Sequence, residues 1–376
     1  MVYHIIILFC FVAVLFLDIY ALNFSGTVEI NTKNDKIKIM ERKLFVLLVL
    51  YMIALCGFRA YDRLHHVGID TNRYYESYLK VGRMQFANII NKNITDKGYT
   101  ILQYILIKSG CEFWGLLLLS AVVYVGAISV YIYKYSKNPW MSVFAFVVLG
   151  IYSFTFSAVR QGIAMGICMI AYLLIDKIKG TKGFLLFVFL TWLASTMHAS
   201  AIVFFPVYFL RKIPYKNIII YISLGMAAVT MMFKNQFANL ILQLAAETSD
   251  RYASYEIAES TSAGMLLYLF VLVAVFLKLI MNNGIKEEFQ KDNSIYMILM
   301  MLILFPAVQS GGAMMRIYYY YYMFFIVYLP NVLESIEDKA FRQTSYLLLS
   351  AFLLYIYLTG DRAYLMLIPY QFFWQS

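Results

Sequence analysis

Charge is scarce in this chain of 376 residues, of which 14% are charged, 62% hydrophobic and 18% aromatic. So little polar surface cannot coat a soluble globule of that length, and the composition therefore indicates a membrane protein. The apolar runs are continuous over about 15–20 residues, as membrane-crossing helices require, and they lack the alternation typical of a transmembrane barrel. The predicted fold class is all-α.

Metal and nucleotide signatures are also missing. The cysteines Cys10, Cys56, Cys111 and Cys168 form no CxxC pair and have no histidine at ligand spacing, so neither a metal site nor a disulfide framework is indicated. The sequence contains no glycine-rich phosphate loop, no GxGxxG and no HExxH motif. We therefore expect neither a cofactor nor a metal.

The charge that is present is mostly basic, with 31 Lys and Arg against 21 Asp and Glu. In a soluble protein this excess would suggest nucleic acid, but in a membrane protein it is typical of cytoplasmic loops, so no nucleic-acid partner is expected. Lysine-containing loops alternate with apolar runs and predict about 12 spans in one integral-membrane domain over residues 1–376. The first of these spans is Val2–Leu22, which has no basic residue before it.

Two longer polar stretches are predicted to be extracytoplasmic loops, at residues 59–112 and 234–262. Within the first, residues 71–92 carry tyrosines and apolar side chains at helical spacing among charges. This pattern predicts an interfacial amphipathic helix, although a helix of that kind also serves simply to stabilise the rim of a bundle.

Arg160 and Gln161 stand between two apolar runs that have no polar loop between them, so the chain must reverse or bend near residues 157–160. An arginine near mid-bilayer costs roughly 2.5–3.5 kcal/mol on insertion scales. Arg160 is therefore expected to lie near an interface, to line a water-filled cavity or to hold an anion. A later apolar run ends at His198, and the apolar stretch 199–210 that follows is short for a full span.

The predicted topology places several polar residues on the extracytoplasmic side, namely Asp70, Arg160, Gln161, His198 and Arg316. Two arginines suit a phosphate or diphosphate because each guanidinium offers several directed donors. A carboxylate or histidine nearby can accept the proton of an attacking hydroxyl, and tyrosines offer faces on which sugars stack. This set of residues suits a lipid-diphosphate-linked sugar that is attacked by a hydroxyl of another sugar.

Several short motifs follow one another along the chain in an order that resembles a known protein family. The motifs are Gly57-Phe-Arg59, Gly68-Ile-Asp70-Thr71 with Tyr74 and Tyr78, Gly98-Tyr99, Ser157-Ala-Val-Arg160-Gln161-Gly-Ile-Ala164, Met197-His198-Ala-Ser-Ala201 with Pro206, and Arg316 with its tyrosines. Together they resemble the EpsG family, which comprises Wzy-like bacterial polysaccharide polymerases and related exopolysaccharide membrane proteins. One departure is that Lys97 stands where the family often has an acid before Gly-Tyr, with Asp96 one position earlier.

The resemblance implies polymerisation of undecaprenyl-diphosphate-linked repeat units by glycosyl transfer at the outer face of the bacterial plasma membrane. The implied partners are the polyprenyl-diphosphate-linked glycan, membrane lipid, and the chain-length regulator and flippase proteins of such a pathway. On this interpretation Arg160 and Arg316 bind the donor diphosphate, and Asp70 or His198 acts on the acceptor hydroxyl, with Arg160 also catalytic. The implied glycan contacts are Gln161, Tyr74, Tyr78, Arg59 and Tyr319.

Each candidate also has a structural alternative. Arg160 could bond to carbonyls at the helix reversal, His198 could cap a helix, Asp70 could form an Asx-turn, and Arg316 could anchor an interface. The tyrosines after Arg316 are more typical of an aromatic belt and packing than of a binding site. Three other functions stay open at this point: a transporter (flippase) of lipid-linked glycans, an integral-membrane acyltransferase that modifies glycans, and a non-catalytic membrane component of a polysaccharide assembly complex.

Overall fold

The computed structural model describes residues 31–91, 96–248, 262–281, 294–308, 315–359 and 366–375. Over these residues the chain forms sixteen α-helices and no strand, apart from an isolated bridge between Arg59 and Phe372. The all-α prediction is therefore confirmed for the described part of the chain.

The helices are numbered here in chain order. They are α1 (Asn31–Gly57), α2 (Thr71–Gly82), α3 (Phe86–Asn91), α4 (Lys97–Lys108), α5 (Phe113–Tyr135), α6 (Pro139–Val148), α7 (Ile151–Ser157), α8 (Val159–Ile175), α9 (Gly180–Met197), α10 (Val207–Leu210), α11 (Asn217–Met232), α12 (Lys234–Thr248), α13 (Ser262–Met281), α14 (Ser294–Val308), α15 (Met315–Glu334) and α16 (Lys339–Thr359). Short 3-10 helices lie at Ala199–Phe204 and Phe373–Gln375.

Helices α8 and α15 organise the bundle. Helix α8 packs along α5 and α9, and α15 packs against α6, α13 and α14. Most tyrosines of α15 are buried, and the hydroxyls of Tyr321, Tyr322 and Tyr328 donate to backbone carbonyl oxygens. The Tyr321 hydroxyl, for example, donates to the carbonyl oxygen of Val203 at 2.7 Å. The tyrosine run thus contributes mainly to packing.

The helices break at the places where the sequence carries its polar candidates. Helix α7 ends at Ser157 and α8 begins at Val159, so the break at Ala158 falls where the sequence predicts a reversal or bend. Helix α9 ends at Met197, one residue before His198. The short apolar stretch 199–210 is itself broken into a 3-10 helix and the four-residue helix α10.

Among the described residues, two helices, α5 and α9, are long and apolar enough to cross a membrane on their own. The pair α6 and α7 is bent by 45°, and α11 is bent by 90° relative to the first part of α12. Counting each bent pair as one span gives up to four spans. The predicted count of about 12 is therefore not confirmed. Val2–Leu22 lies outside the described residues.

The stretch 59–112 contains helices α2, α3 and α4. Helices α2 and α3 cover most of residues 71–92, where the sequence predicts an amphipathic helix, and α2 buries Thr71, Tyr78 and Val81. Its position at a membrane interface stays a prediction, as does the extracytoplasmic placement of residues 59–112 and 234–262. Residues 249–261 lie outside the described part of the second stretch.

Gly98 lets α4 approach α9 closely. A Cβ built on Gly98 would lie 2.2 Å from Oγ1 and 2.7 Å from Cβ of Thr196. We expect Gly98→Ala to lower the thermal stability of the detergent-solubilised protein, because overpacking of a close contact costs about 1–3 kcal/mol. Gly126→Ala in α5 is the matched control, since nothing lies within 4 Å of its Cβ position. Equal melting temperatures for the two variants would contradict this close packing.

Candidate functional site

Arg160 is the second residue of α8, directly after the break at Ala158. Its side chain is 19% exposed, and Nη1 donates to Oδ2 of Asp96 at 2.7 Å. The guanidinium carbon lies 5.5 Å from the ring centroid of Tyr74 and 5.9 Å from that of Tyr99. Nε is buried without a hydrogen-bond partner in the part of the chain that the structure describes. An orphaned buried donor is uncommon in folded proteins and is consistent with a site for a ligand.

Asp96 connects two parts of the site. Its backbone has φ 58° and ψ 47°, in the left-handed region that aspartate enters more readily than most residues. Oδ2 accepts from Arg160, and Oδ1 accepts from the backbone N–H of Ala199 at 3.1 Å. The side chain is only 6% exposed. The carboxylate thereby joins the first turn of α8 to the turn that follows His198.

His198 is buried between the end of α9 and the 3-10 helix. Its Nδ1 lies 2.7 Å from the hydroxyl oxygen of Ser200 and 3.4 Å from the Ser200 backbone nitrogen. Nδ1 accepts from this backbone N–H, so a neutral ring carries its proton on Nε2. The same hydroxyl lies 3.4 Å from the Tyr320 hydroxyl oxygen. His198 therefore caps the 3-10 helix, as one structural alternative predicts, and it does so beside the Asp96 contact.

Gln161 connects α8 with α15. Its Nε2 donates to the carbonyl oxygen of Arg316 at 2.6 Å, and the side chain is buried. Oε1 is buried and has no hydrogen-bond partner among the described residues. Because Gln161 directly follows Arg160, this bond places the backbone of Arg316 next to the first turn of α8. Tyr319, about one turn further along α15, stacks on Phe154 with ring centroids 4.0 Å apart.

Helix α2 brings Tyr74 to Arg160 and places Asp70 one helical turn away. Asp70 precedes the helix and makes no capping hydrogen bond through its side chain. Its carboxylate lies 3.5 Å from Arg73, whose side chain is 80% exposed. Ion pairs that exposed are worth little in water. The Asp70 carboxylate is thus weakly held and partly open to solvent.

Arg59 is fully buried, with 1% of its surface exposed. The guanidinium donates to the carbonyl oxygens of Cys56, of Val67 at 3.2 Å and of Phe156 at 3.1 Å. It also lies over the Phe156 ring, 5.1 Å from the centroid. These bonds fix the turn after α1 against the end of α7. A glycan contact for Arg59 stays a prediction, whereas its contacts with the main chain are direct.

Tyr78 is likewise buried, and its hydroxyl donates to the carbonyl oxygen of Cys111 at 2.8 Å. Burial, together with the nearby Cys111, raises the pKa of Tyr78 to about 12. The hydroxyl therefore stays protonated at physiological pH and keeps this hydrogen bond. Of the residues assigned to the glycan by resemblance, Tyr74, Gln161 and Tyr319 lie closest to Arg160 or to the Arg316 backbone.

The structure adds to the site three residues that the sequence-based candidates lack: Asp96, Tyr99 and Ser200. Asp96 and Tyr99 could have been found from the sequence, because an acidic residue lies close to the Gly98-Tyr99 motif. It falls one position before the place where the family often has one. Ser200 follows His198 in the motif, and only the fold shows that its hydroxyl contacts the imidazole.

A second polar cluster lies at the other end of α8, around Asp176. The Asp176 carboxylate accepts hydrogen bonds from Lys134, Tyr135 and Arg211. Burial alone would raise the pKa of Asp176, but these hydrogen bonds and the charge of Arg211 lower it below its ordinary value. Helix α8 has 17 residues, so at about 1.5 Å per residue roughly 25 Å separates this cluster from Arg160.

The arrangement around Arg160 suits an anion. Arg160 carries a positive charge that pairs with the carboxylate of Asp96, and the hydrogen bond from Gln161 brings the backbone of Arg316 close to it. No group of three or more His, Cys, Asp and Glu suited to a metal is found within the described ranges. The rings of Tyr74 and Tyr99 lie beside the Arg160 guanidinium.

Comparison with known proteins gives a family. The model described as EpsG family matches residues 42–372, which is nearly the whole chain. No curated protein and no solved structure matches the chain. The matched region contains every candidate residue from Arg59 to Tyr319.

Proposed function

Since this chain belongs to the EpsG family, we propose that it polymerises undecaprenyl-diphosphate-linked oligosaccharide repeat units by glycosyl transfer at the outer face of the plasma membrane. Family membership indicates a membrane protein with a general role in exopolysaccharide production of the Wzy-like kind. The specific proposal rests on the Arg160 guanidinium, which Asp96 holds at a helix break and whose Nε has no hydrogen-bond partner among the described residues.

In the proposed reaction a hydroxyl of one repeat unit attacks the anomeric carbon of another. The bond from that carbon to the diphosphate oxygen breaks, and polyprenyl diphosphate leaves with the bonding electrons. Arg160 and Arg316 bind the diphosphate and stabilise the negative charge that develops on the leaving oxygen. Attack from the opposite side of the ring inverts the anomeric configuration.

The proton of the attacking hydroxyl passes to Asp70 or His198 in this proposal. Asp70 is partly open to solvent, and its carboxylate pairs with the exposed Arg73, so an acceptor sugar can reach it. His198 is buried, and its Nδ1 already contacts Ser200. This geometry favours Asp70 as the group that meets the acceptor and His198 as a group that shapes the site next to Asp96.

The glycan is proposed to contact Tyr74, Gln161 and Tyr319, with Arg59 and Tyr78 supporting the turn and helix behind them. We further propose that the single domain, residues 1–376, presents this site extracytoplasmically and that the stretch 59–112 covers the glycan. Chain-length regulator and flippase proteins of the same pathway are the proposed protein partners.

The proposal is tested with the purified protein in lipid, given undecaprenyl-diphosphate-linked repeat units and no nucleotide. We expect a ladder of longer glycans, because the diphosphate leaving group supplies the driving force for transfer. If no ladder forms but labelled lipid moves between the leaflets, the protein is a flippase and the polymerase assignment is wrong. If neither activity is found, the remaining functions are those of a non-catalytic component of an assembly complex and of an acyltransferase that modifies glycans.

A further inference from the structure

We propose that Asp96 limits the affinity of Arg160 for the diphosphate, so that polyprenyl diphosphate can leave after each transfer. This inference rests on the proposed function and adds to it a residue that controls product release. In this role Asp96 acts through Arg160 and contacts neither the donor sugar nor the acceptor.

The carboxylate of Asp96 is fixed rather than free to swing away. One oxygen bonds to Arg160 at 2.7 Å and the other to the Ala199 N–H at 3.1 Å. The side chain is almost entirely buried, and the left-handed backbone directly before α4 sets its direction. A ligand therefore does not need to displace Asp96, and it bonds to the donors of Arg160 that Asp96 does not use.

A diphosphate and Asp96 then share one guanidinium. Two negative groups on the same guanidinium lie about 5–7 Å apart, a distance at which like charges in a partly buried site repel strongly. This repulsion weakens diphosphate binding, while the bond from Asp96 keeps Arg160 in position. A polymerase needs both effects, because the same site must hold the donor during transfer and release the spent lipid diphosphate afterwards.

Asp96→Asn separates the two effects. The asparagine side-chain oxygen can still accept from Ala199, so the local geometry is largely kept, while the negative charge is removed. If Asp96 only maintained structure, the substitution would weaken diphosphate binding or leave it unchanged. If Asp96 limits affinity, the substitution tightens binding.

The test measures the affinity of undecaprenyl diphosphate for the full-length protein in nanodiscs, together with the turnover of the ladder assay. For Asp96→Asn we expect a Kd about tenfold lower than that of the wild type, stronger inhibition by added undecaprenyl diphosphate and a lower kcat. Asp96→Ser also removes the charge and keeps an acceptor oxygen. It should also lower Kd, and it provides the same test if the asparagine variant does not fold.

Asp176→Asn is the matched control, because it removes a carboxylate that also pairs with an arginine, at the far end of α8. It should leave Kd for undecaprenyl diphosphate unchanged. If both Asp96 variants bind undecaprenyl diphosphate as well as or more weakly than a wild type that binds it normally, the proposed role of Asp96 is wrong. The proposed function is then unaffected. A wild-type protein that binds no undecaprenyl diphosphate would overturn the proposed function and this inference with it.

Discussion

Arg160→Ala is expected to abolish the glycan ladder while the protein stays folded in the membrane. Loss of a group that stabilises charge on a leaving group costs about 100- to 1,000-fold in rate. A polymer needs many successive transfers, so a loss of that size at each step removes the long products entirely. The measurement is the ladder assay in lipid, with the amount of membrane-inserted protein quantified in parallel.

Arg342→Ala provides the matched control for a lost guanidinium. Arg342 lies in α16 and donates to the carbonyl oxygen of Ile336 at 2.9 Å, outside the candidate site. It should yield a normal ladder. A normal long ladder from Arg160→Ala would contradict the placement of the diphosphate at Arg160.

Arg160→Lys tests whether geometry matters beyond charge. A guanidinium can bond to Asp96 through Nη1 and still direct other donors at a phosphate, whereas an ammonium is a single point charge. We therefore expect short products in low yield from the lysine variant. Activity close to that of the wild type would indicate simple charge attraction instead.

Local chemistry decides those parts of the structure that can be predicted from the sequence. The absence of a polar loop around Arg160 predicts the break found at Ala158, and the apolar run before His198 predicts the end of α9 at Met197. The limited length of the stretch 199–210 likewise agrees with its broken helix. Each of these predictions depends only on neighbouring residues and on the length that a bilayer demands.

Contacts between segments that are distant in sequence could not be predicted. The partners of Asp96 are 64 and 103 residues away in sequence, and the contact depends on a left-handed backbone that no composition pattern reveals. The contact of Arg59 with Phe156 spans 97 residues in the same way. The number of spans is also harder to predict than their existence, because several apolar runs form helices too short to cross a bilayer unaided.

Arg59→Ala is expected to destabilise the folded protein strongly. The variant leaves the carbonyl oxygens of Cys56, Val67 and Phe156 without their donor inside the protein. Each buried acceptor left unsatisfied costs about 1–3 kcal/mol, so the expected loss is about 3 kcal/mol or more. The same turn also requires glycine at position 68, since the φ of Gly68 is +96° and a Cβ there would lie 2.2 Å from the Phe156 carbonyl oxygen.

Thermal unfolding in detergent and the yield of inserted protein measure this loss, and Arg73→Ala is the control. Arg73 is 80% exposed and pairs with Asp70 on the surface, so its removal should change stability by less than about 0.5 kcal/mol. Arg59→Lys should be intermediate, because an ammonium cannot reach the same carbonyls in a planar fork. An Arg59→Ala protein that melts like the wild type but makes no ladder would favour the glycan contact implied by resemblance. A large drop in melting temperature would instead identify Arg59 as the residue that holds the turn after α1 against α7, and thereby sets where α8 and Arg160 begin.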